Sequence, residues 1–235
     1  MLRLSAFDKI NPGEGYFLAG VPLEKEAKLT GKKFTMGEVF RFGWNAMKSN
    51  FLLFLVLIIS SLLVTIANNK ISDSVKYFPL TAFVVFIAFF LIQSLISMIF
   101  TKVTLQLSNK EAAGSGDFFS FLGSFIDFVF ASILYWLIVL GGLILLIVPG
   151  IIWAIKFGQF GYLIIDKGAN PIEALKESSQ ITTGVKWDLF KFYLLSFVIT
   201  LGGFLCLIVG LLVAIPVTAV AGACVYRKIS DQVTA

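Results

Sequence analysis

Six long apolar runs alternate with shorter polar segments along the chain. A helix needs about 20 mostly apolar residues to cross the roughly 30 Å hydrocarbon core of a bilayer. The runs cover residues 51–67, 79–101, 128–148, 151–165, 189–209 and 211–226. The fourth is short: its 15 residues rise only about 22 Å, so we expect it to include flanking residues or to cross where the bilayer thins. The pattern predicts an all-α polytopic membrane protein with six transmembrane helices.

Three polar segments carry the start signals of short amphipathic helices. Thr35 is followed three residues later by a glutamate, which is the pattern of a capping box. Asn170 is a good N-cap, and Pro171 suits the first position of the helix that follows. Asp117 can cap a third helix. The apolar faces of these segments suit helices that lie in the membrane interface.

Each amphipathic segment precedes a pair of apolar runs, so the predicted plan is an interfacial helix and a hairpin, three times over. The hairpin units cover about 35–108, 117–167 and 170–228, within a single membrane domain at 35–235. Residues 1–34 are polar and rich in turn-forming residues, and we expect a cytoplasmic arm that is either partly ordered against the membrane face or a flexible tail.

The second and third hairpins share a sequence pattern at a separation of 61 residues. The matched positions are Asp127 with Asp188 and Gly141-Gly142 with Gly202-Gly203. We expect the glycine pairs to allow close approach of helix backbones, with pore lining as the alternative. The first hairpin lacks the pair, and only the order of its elements supports it as a copy. The copies would be parallel repeats, related about an axis along the membrane normal.

Proline and glycine predict where these hairpins turn or bend. Pro149-Gly150 and Gly210 follow the matched runs at once, so we expect tight turns there. Pro216 lies inside the sixth run and is expected to kink its helix.

Composition and charge agree with a membrane protein. Hydrophobic residues make up 58% of the 235 and charged residues 14%, against about 25% charged in soluble chains. The net charge of +5 does not indicate nucleic acid, because the lysines and arginines flank the apolar runs. The first 50 residues carry eight of them. The positive-inside rule then predicts a multi-pass protein of the cytoplasmic membrane with both termini in the cytoplasm.

Candidate chemistry is sparse. The chain has no histidine, the commonest general base and a common metal ligand, and no catalytic, cofactor or metal motif. We therefore expect no catalytic residue, cofactor or metal site. Gln93 lies in the second run and is expected to form a helix-to-helix hydrogen bond. Lys156 and Gln159 share a face of the fourth run: Lys156 either snorkels to the interface or forms an inward-facing polar site with Gln159.

One segment carries a family resemblance. Residues 148–184 resemble bacterial six-span inner-membrane proteins of the YciC-like type, which are related to the membrane domain of some glycerophosphodiester phosphodiesterases. The residues that carry it are Pro149-Gly150, Asp166, Pro171, Glu173-Ala174-Leu175, Ser178 and Gly184, with Phe42-Gly43-Trp44 nearer the start. The resemblance implies an integral protein of the bacterial inner membrane without an assigned activity. It does not carry over the phosphodiesterase chemistry, which belongs to a separate histidine-containing domain.

The sequence thus favours a non-enzymatic membrane component, a scaffold or envelope-associated protein. Its expected partners are the lipid bilayer and either a membrane protein or a second copy of the chain. The alternative is a transporter or channel for small molecules or lipids, which the repeats, the glycine pairs and the Lys156 and Gln159 pair would suit. An intramembrane enzyme is the least favoured class, because no base and nucleophile pair is present.

Overall fold

The computed structural model describes residues 34–109, 111 and 120–234, and within these ranges the regular structure is helical, without a strand. The expected arm at residues 1–34 lies outside them except for Phe34. Nine α-helices occur in the described ranges: α1 Met36–Ser49, α2 Phe51–Val75, α3 Pro79–Ser108, α4 Phe125–Leu145, α5 Ile147–Phe157, α6 Phe160–Lys167, α7 Pro171–Ile181, α8 Lys186–Leu205 and α9 Leu207–Thr234. A 3-10 turn, Ser120–Ser124, leads into α4.

Six of the helical segments are long and apolar enough to span a membrane, which confirms the predicted class. They are α2, α3, α4 with the preceding turn, α5 continued by α6, α8 and α9. The first two spans, α2 and α3, run further than predicted, to Val75 and Ser108. The polar loop expected at 68–78 therefore shortens to three residues. A helix satisfies its own backbone groups, and it can continue through polar residues once it leaves the hydrocarbon.

The turns of the second and third hairpins lie earlier than Pro149-Gly150 and Gly210. Leu146, with extended backbone, is the one residue between α4 and α5, and Cys206 is the one between α8 and α9. Pro149 and Gly150 belong to the first turn of α5, and Gly210 lies inside α9. Proline is tolerated in a first helical turn, because the N–H that it lacks would have no partner there.

The amphipathic helices begin where the sequence predicts. Thr35 is the N-cap residue of α1 and Asn170 that of α7, but neither side chain makes a capping hydrogen bond. Instead of closing a capping box, Glu38 forms an ion pair with Lys228, at 2.7 Å. The helix expected after Asp117 falls largely outside the described residues, and its described part is the 3-10 turn.

Buried side chains gather toward the charged ends of the spans. One cluster includes Leu163, Ile164 and Tyr226, and a smaller one includes Phe54 and Val220. The remaining surface of the spans is apolar and exposed. In the most apolar stretch of α2, only 6% of the residues are buried. Such surfaces suit contact with lipid, since α1 and α7 pack along α9 and α6 instead of covering them.

Candidate functional site: a break in the fourth span

The fourth span is not one helix. α5 ends at Phe157 and α6 begins at Phe160, so Gly158 and Gln159 interrupt the run that was expected to cross continuously. A break inside a span frees backbone groups that must find partners away from water.

Ser178, from α7, bonds both sides of this break. Its hydroxyl donates to the carbonyl oxygen of Lys156, at 3.0 Å, and accepts from the backbone N–H of Gln159, at 3.1 Å. The Thr182 hydroxyl lies 3.2 Å from the same carbonyl oxygen. Ser178 and Thr182 are fully buried. One hydroxyl thereby bonds one carbonyl and one N–H group at the break, using both its donor and its acceptor capacity.

The Gln159 side chain lies in the interior beside the break. It is 2% exposed, and its Nε2 donates to the Tyr193 hydroxyl of α8, at 2.9 Å. Its Oε1 is buried and has no hydrogen-bond partner among the described residues. Gly158 makes room for this pair, because a Cβ there would lie 3.2 Å from the Tyr193 hydroxyl oxygen.

The third hairpin provides an internal comparison. With the separation of 61 residues, Lys156 matches Val217 and Gln159 matches Val220, and α9 runs through both without a break. At this level α1 presents Gly43, where a Cβ would lie 2.5 Å from the Val217 carbonyl oxygen. Gly43 follows the N-cap of α1 by eight residues, as Ser178 follows that of α7. The packing of an amphipathic helix onto a span therefore does not itself require a break or a polar side chain.

The side chains of Lys156 and Gln159 have different partners. The Lys156 side chain is half-buried, and its amine lies 5.2 Å from the ring centroid of Phe157. No side-chain hydrogen bond joins Lys156 to Gln159, both of which are described. Gln93 donates to the Ser61 hydroxyl at 2.8 Å, a bond between α3 and α2 of the kind expected for it.

Only the second glycine of each pair has a close neighbour. A Cβ on Gly142 would lie 2.9 Å from the Cα of Gly150, whereas one on Gly141 would meet nothing within 4 Å. A Cβ on Gly203 would lie 2.8 Å from the carbonyl oxygen of Gly210, and one on Gly202 would again be open. Pro216 is buried within α9, and the kink expected there stays a prediction.

A second polar contact joins α6 to α9 at their charged ends. The guanidinium of Arg227 donates to both carboxylate oxygens of Asp166, at 2.6 and 2.9 Å, and the Tyr226 hydroxyl donates to the second oxygen at 2.9 Å. Asp166 and Arg227 occupy matched positions of the two hairpins, 61 residues apart. Sequence reasoning missed this pair, although opposite charges at matched positions were a signal for it.

The groups at the break are hydroxyls and an amide, which can bind and orient a neutral partner but are not strong bases. The described residues include no group of three or more side chains that could hold a metal ion. Both cysteines are free. Comparison of the chain with family models, curated proteins and solved structures found no match.

Proposed function

We propose that this integral membrane protein is a non-enzymatic scaffold or envelope-associated component of the cytoplasmic membrane, with both termini in the cytoplasm. It acts by contact with lipid or with a membrane protein partner, which includes a second copy of the chain. The observation that supports this most is the closure of the fourth span by Ser178.

Transporters often bind substrate at interrupted helices, whose unwound backbone groups point into a cavity. Here the Lys156 carbonyl and the Gln159 N–H are already bonded to a buried hydroxyl of the same chain. The polar groups inside the membrane domain therefore serve to hold helices together, as the bond of Gln93 to Ser61 also does.

The repeated plan belongs to the same proposal. α1 and α7 pack at matched points, Gly43 on Val217 and Ser178 on Lys156. This supports parallel copies of one unit. The protein then has a broad apolar surface around an interior in which hydrogen bonds join the helices.

A small-molecule or lipid transporter is the second candidate. Two observations favour it: the interruption itself, and the buried Oε1 of Gln159, which lacks a partner among the described residues. An unsatisfied buried acceptor costs about 1–3 kcal/mol, which a transported molecule with a donor group would relieve.

Flux measurements on proteoliposomes separate the two. We expect the reconstituted wild-type protein to produce no saturable uptake of ions, amino acids, sugars or fluorescent lipid above protein-free vesicles. The comparison variant is Gln159→Leu, with Val220→Leu as a control at the matched position of α9. Saturable uptake that Gln159→Leu abolishes and Val220→Leu retains would establish the transporter instead.

A further inference from the structure

A cleft of about 710 Å³ lies between α4 and the first turns of α7. Phe130 and Leu134 of α4 line one side, which we call the floor, and Ile172, Glu173 and Lys176 of α7 line the other, which we call the rim, together with Asn170 and Pro171. The cleft is therefore mostly apolar, and its two charged residues both lie on the rim.

The cleft has the same order of polar and apolar groups as a lipid molecule in one leaflet, with charged residues at the membrane surface and apolar residues deeper. Asp127 marks the charged end of α4, and Phe130 and Leu134 follow it by three and seven residues, which is roughly 5 and 10 Å deeper along the helix. Phe130 is 56% exposed. An acyl chain can lie along this floor while its head group stays beside α7.

The rim carries one charge of each sign. Glu173 and Lys176 are exposed, and they lie one helical turn apart, so their side chains are neighbours. No described residue forms an ion pair with either of them, in contrast to Glu177, which pairs with Lys167. Within the described residues, both charges are therefore available to a group of opposite sign.

We propose that the cleft binds one phospholipid whose head group carries a phosphate and a primary ammonium, as in phosphatidylethanolamine. Lys176 binds the phosphate, and Glu173 accepts hydrogen bonds from the ammonium, which has three donors. A glycerol head group lacks the cation, and a choline head group lacks the N–H donors. This inference rests on the proposed role in lipid contact, and it names the lipid.

The test is lipid retention by the full chain in mild detergent, measured by native mass spectrometry during titration with phosphatidylethanolamine, phosphatidylglycerol and phosphatidylcholine. The variants are Lys176→Gln and Glu173→Gln. Lys186→Gln is the matched control, because Lys186 is also exposed near a helix start and forms no ion pair with a described residue. All three changes lie on the surface, and a melting curve for each verifies the fold.

We expect the wild type to retain phosphatidylethanolamine about threefold more strongly than the other two lipids, since a pair of opposite charges at exposed positions is worth a factor of about two to five. Lys176→Gln should lower its retention by about threefold, and Glu173→Gln should remove the preference over phosphatidylglycerol. Equal retention of the three lipids, a preference that survives Glu173→Gln, or an equal loss in Lys186→Gln would overturn the proposal. The lipid preference and the flux measurement are independent, so either can fail alone.

Discussion

At the scale of single residues, Ser178 is the side chain on which the break in the fourth span depends most. Its hydroxyl is fully buried and bonds to backbone groups on both sides of the break in the fourth span. Ser178→Ala would leave the Gln159 N–H without its partner and weaken the contacts of the Lys156 carbonyl. Because a buried polar group without a partner costs about 1–3 kcal/mol, we expect the free energy of unfolding to fall by about that amount.

Denaturation of the purified protein, followed by circular dichroism, measures this loss. Ser179→Ala is the control, because this neighbouring serine lies on the same helix and is only half-buried. A loss of equal size in both variants would mean that helix propensity, and not the bonds to the break, explains the effect.

The side chain of Lys156 has a different role from its backbone. The amine lies near the Phe157 ring and makes no hydrogen bond to Gln159. The carbonyl oxygen accepts a hydrogen bond from Ser178 of α7 and lies 3.2 Å from the Thr182 hydroxyl. Lys156→Met keeps the backbone and removes a charge whose presence in a span costs a few kcal/mol unless the side chain reaches water. We expect stability unchanged within about 0.5 kcal/mol, or higher, in the same denaturation measurement; a clear loss would show that the amine bonds inside the bundle.

At the scale of elements, one glycine in each of the second and third hairpins lies where the two helices approach closely. Gly142→Ala would push a methyl group to within 2.9 Å of the Gly150 Cα. Overpacking of this kind costs about 1–3 kcal/mol, so we expect a lower melting temperature.

Its neighbour is the matched control. A Cβ on Gly141 meets nothing within 4 Å, so Gly141→Ala should leave stability unchanged or raise it by up to about 1 kcal/mol through helix propensity. Gly203→Ala and Gly202→Ala should repeat the contrast in the third hairpin. The same effect at both members of a pair would contradict this packing.

The elements also show what the sequence could predict. Apolar run length was sufficient to find the six spans, and Pro79 and Pro171 marked helix starts because proline fits a first turn. The same property misplaced a turn: Pro149 was interpreted as a breaker, although it lies within the first turn of α5. Local sequence does not decide between these two uses of proline, because its fixed φ suits both a loop and a first helical turn.

The break in the fourth span was harder to predict. Gly158 beside a polar Gln159 in an apolar run was a local signal for it. Its partners, however, come from elsewhere: Ser178 from a helix expected in the interface, and Tyr193 from the next hairpin. Long-range packing of this kind is not encoded in periodicity. The sequence analysis therefore named Lys156 and Gln159, but it did not predict the bonds that Ser178, Thr182 and Tyr193 make at the break.

At the scale of the whole molecule, the pair of Asp166 and Arg227 ties the second hairpin to the third. Its side chains are 16% and 25% exposed, so the charges are largely shielded from water. We expect Asp166→Asn to cost about 2–3 kcal/mol, somewhat below the loss for a fully buried pair. In a double-mutant cycle with Arg227→Gln, the coupling energy should exceed about 1 kcal/mol; additive losses would show that the two residues act separately.

The orientation of the whole protein gives the last prediction. The described charged residues concentrate at one end of the helices, near Asp166 and Lys186, whereas the turns at Leu146 and Cys206 have no charged neighbour in sequence. Because an excess of lysine and arginine favours the cytoplasmic side, we expect the short loop after α2 to lie outside. Single cysteines at Ser74 and Gln180, both exposed positions, in a background of Cys206→Ala and Cys224→Ala, distinguish the two sides. An impermeant thiol reagent applied to intact cells should label the cysteine at 74, and it should label the cysteine at 180 only after permeabilisation. The reverse pattern would invert the protein in the membrane, and labelling of both positions from outside would disprove the odd number of spans, three, between them.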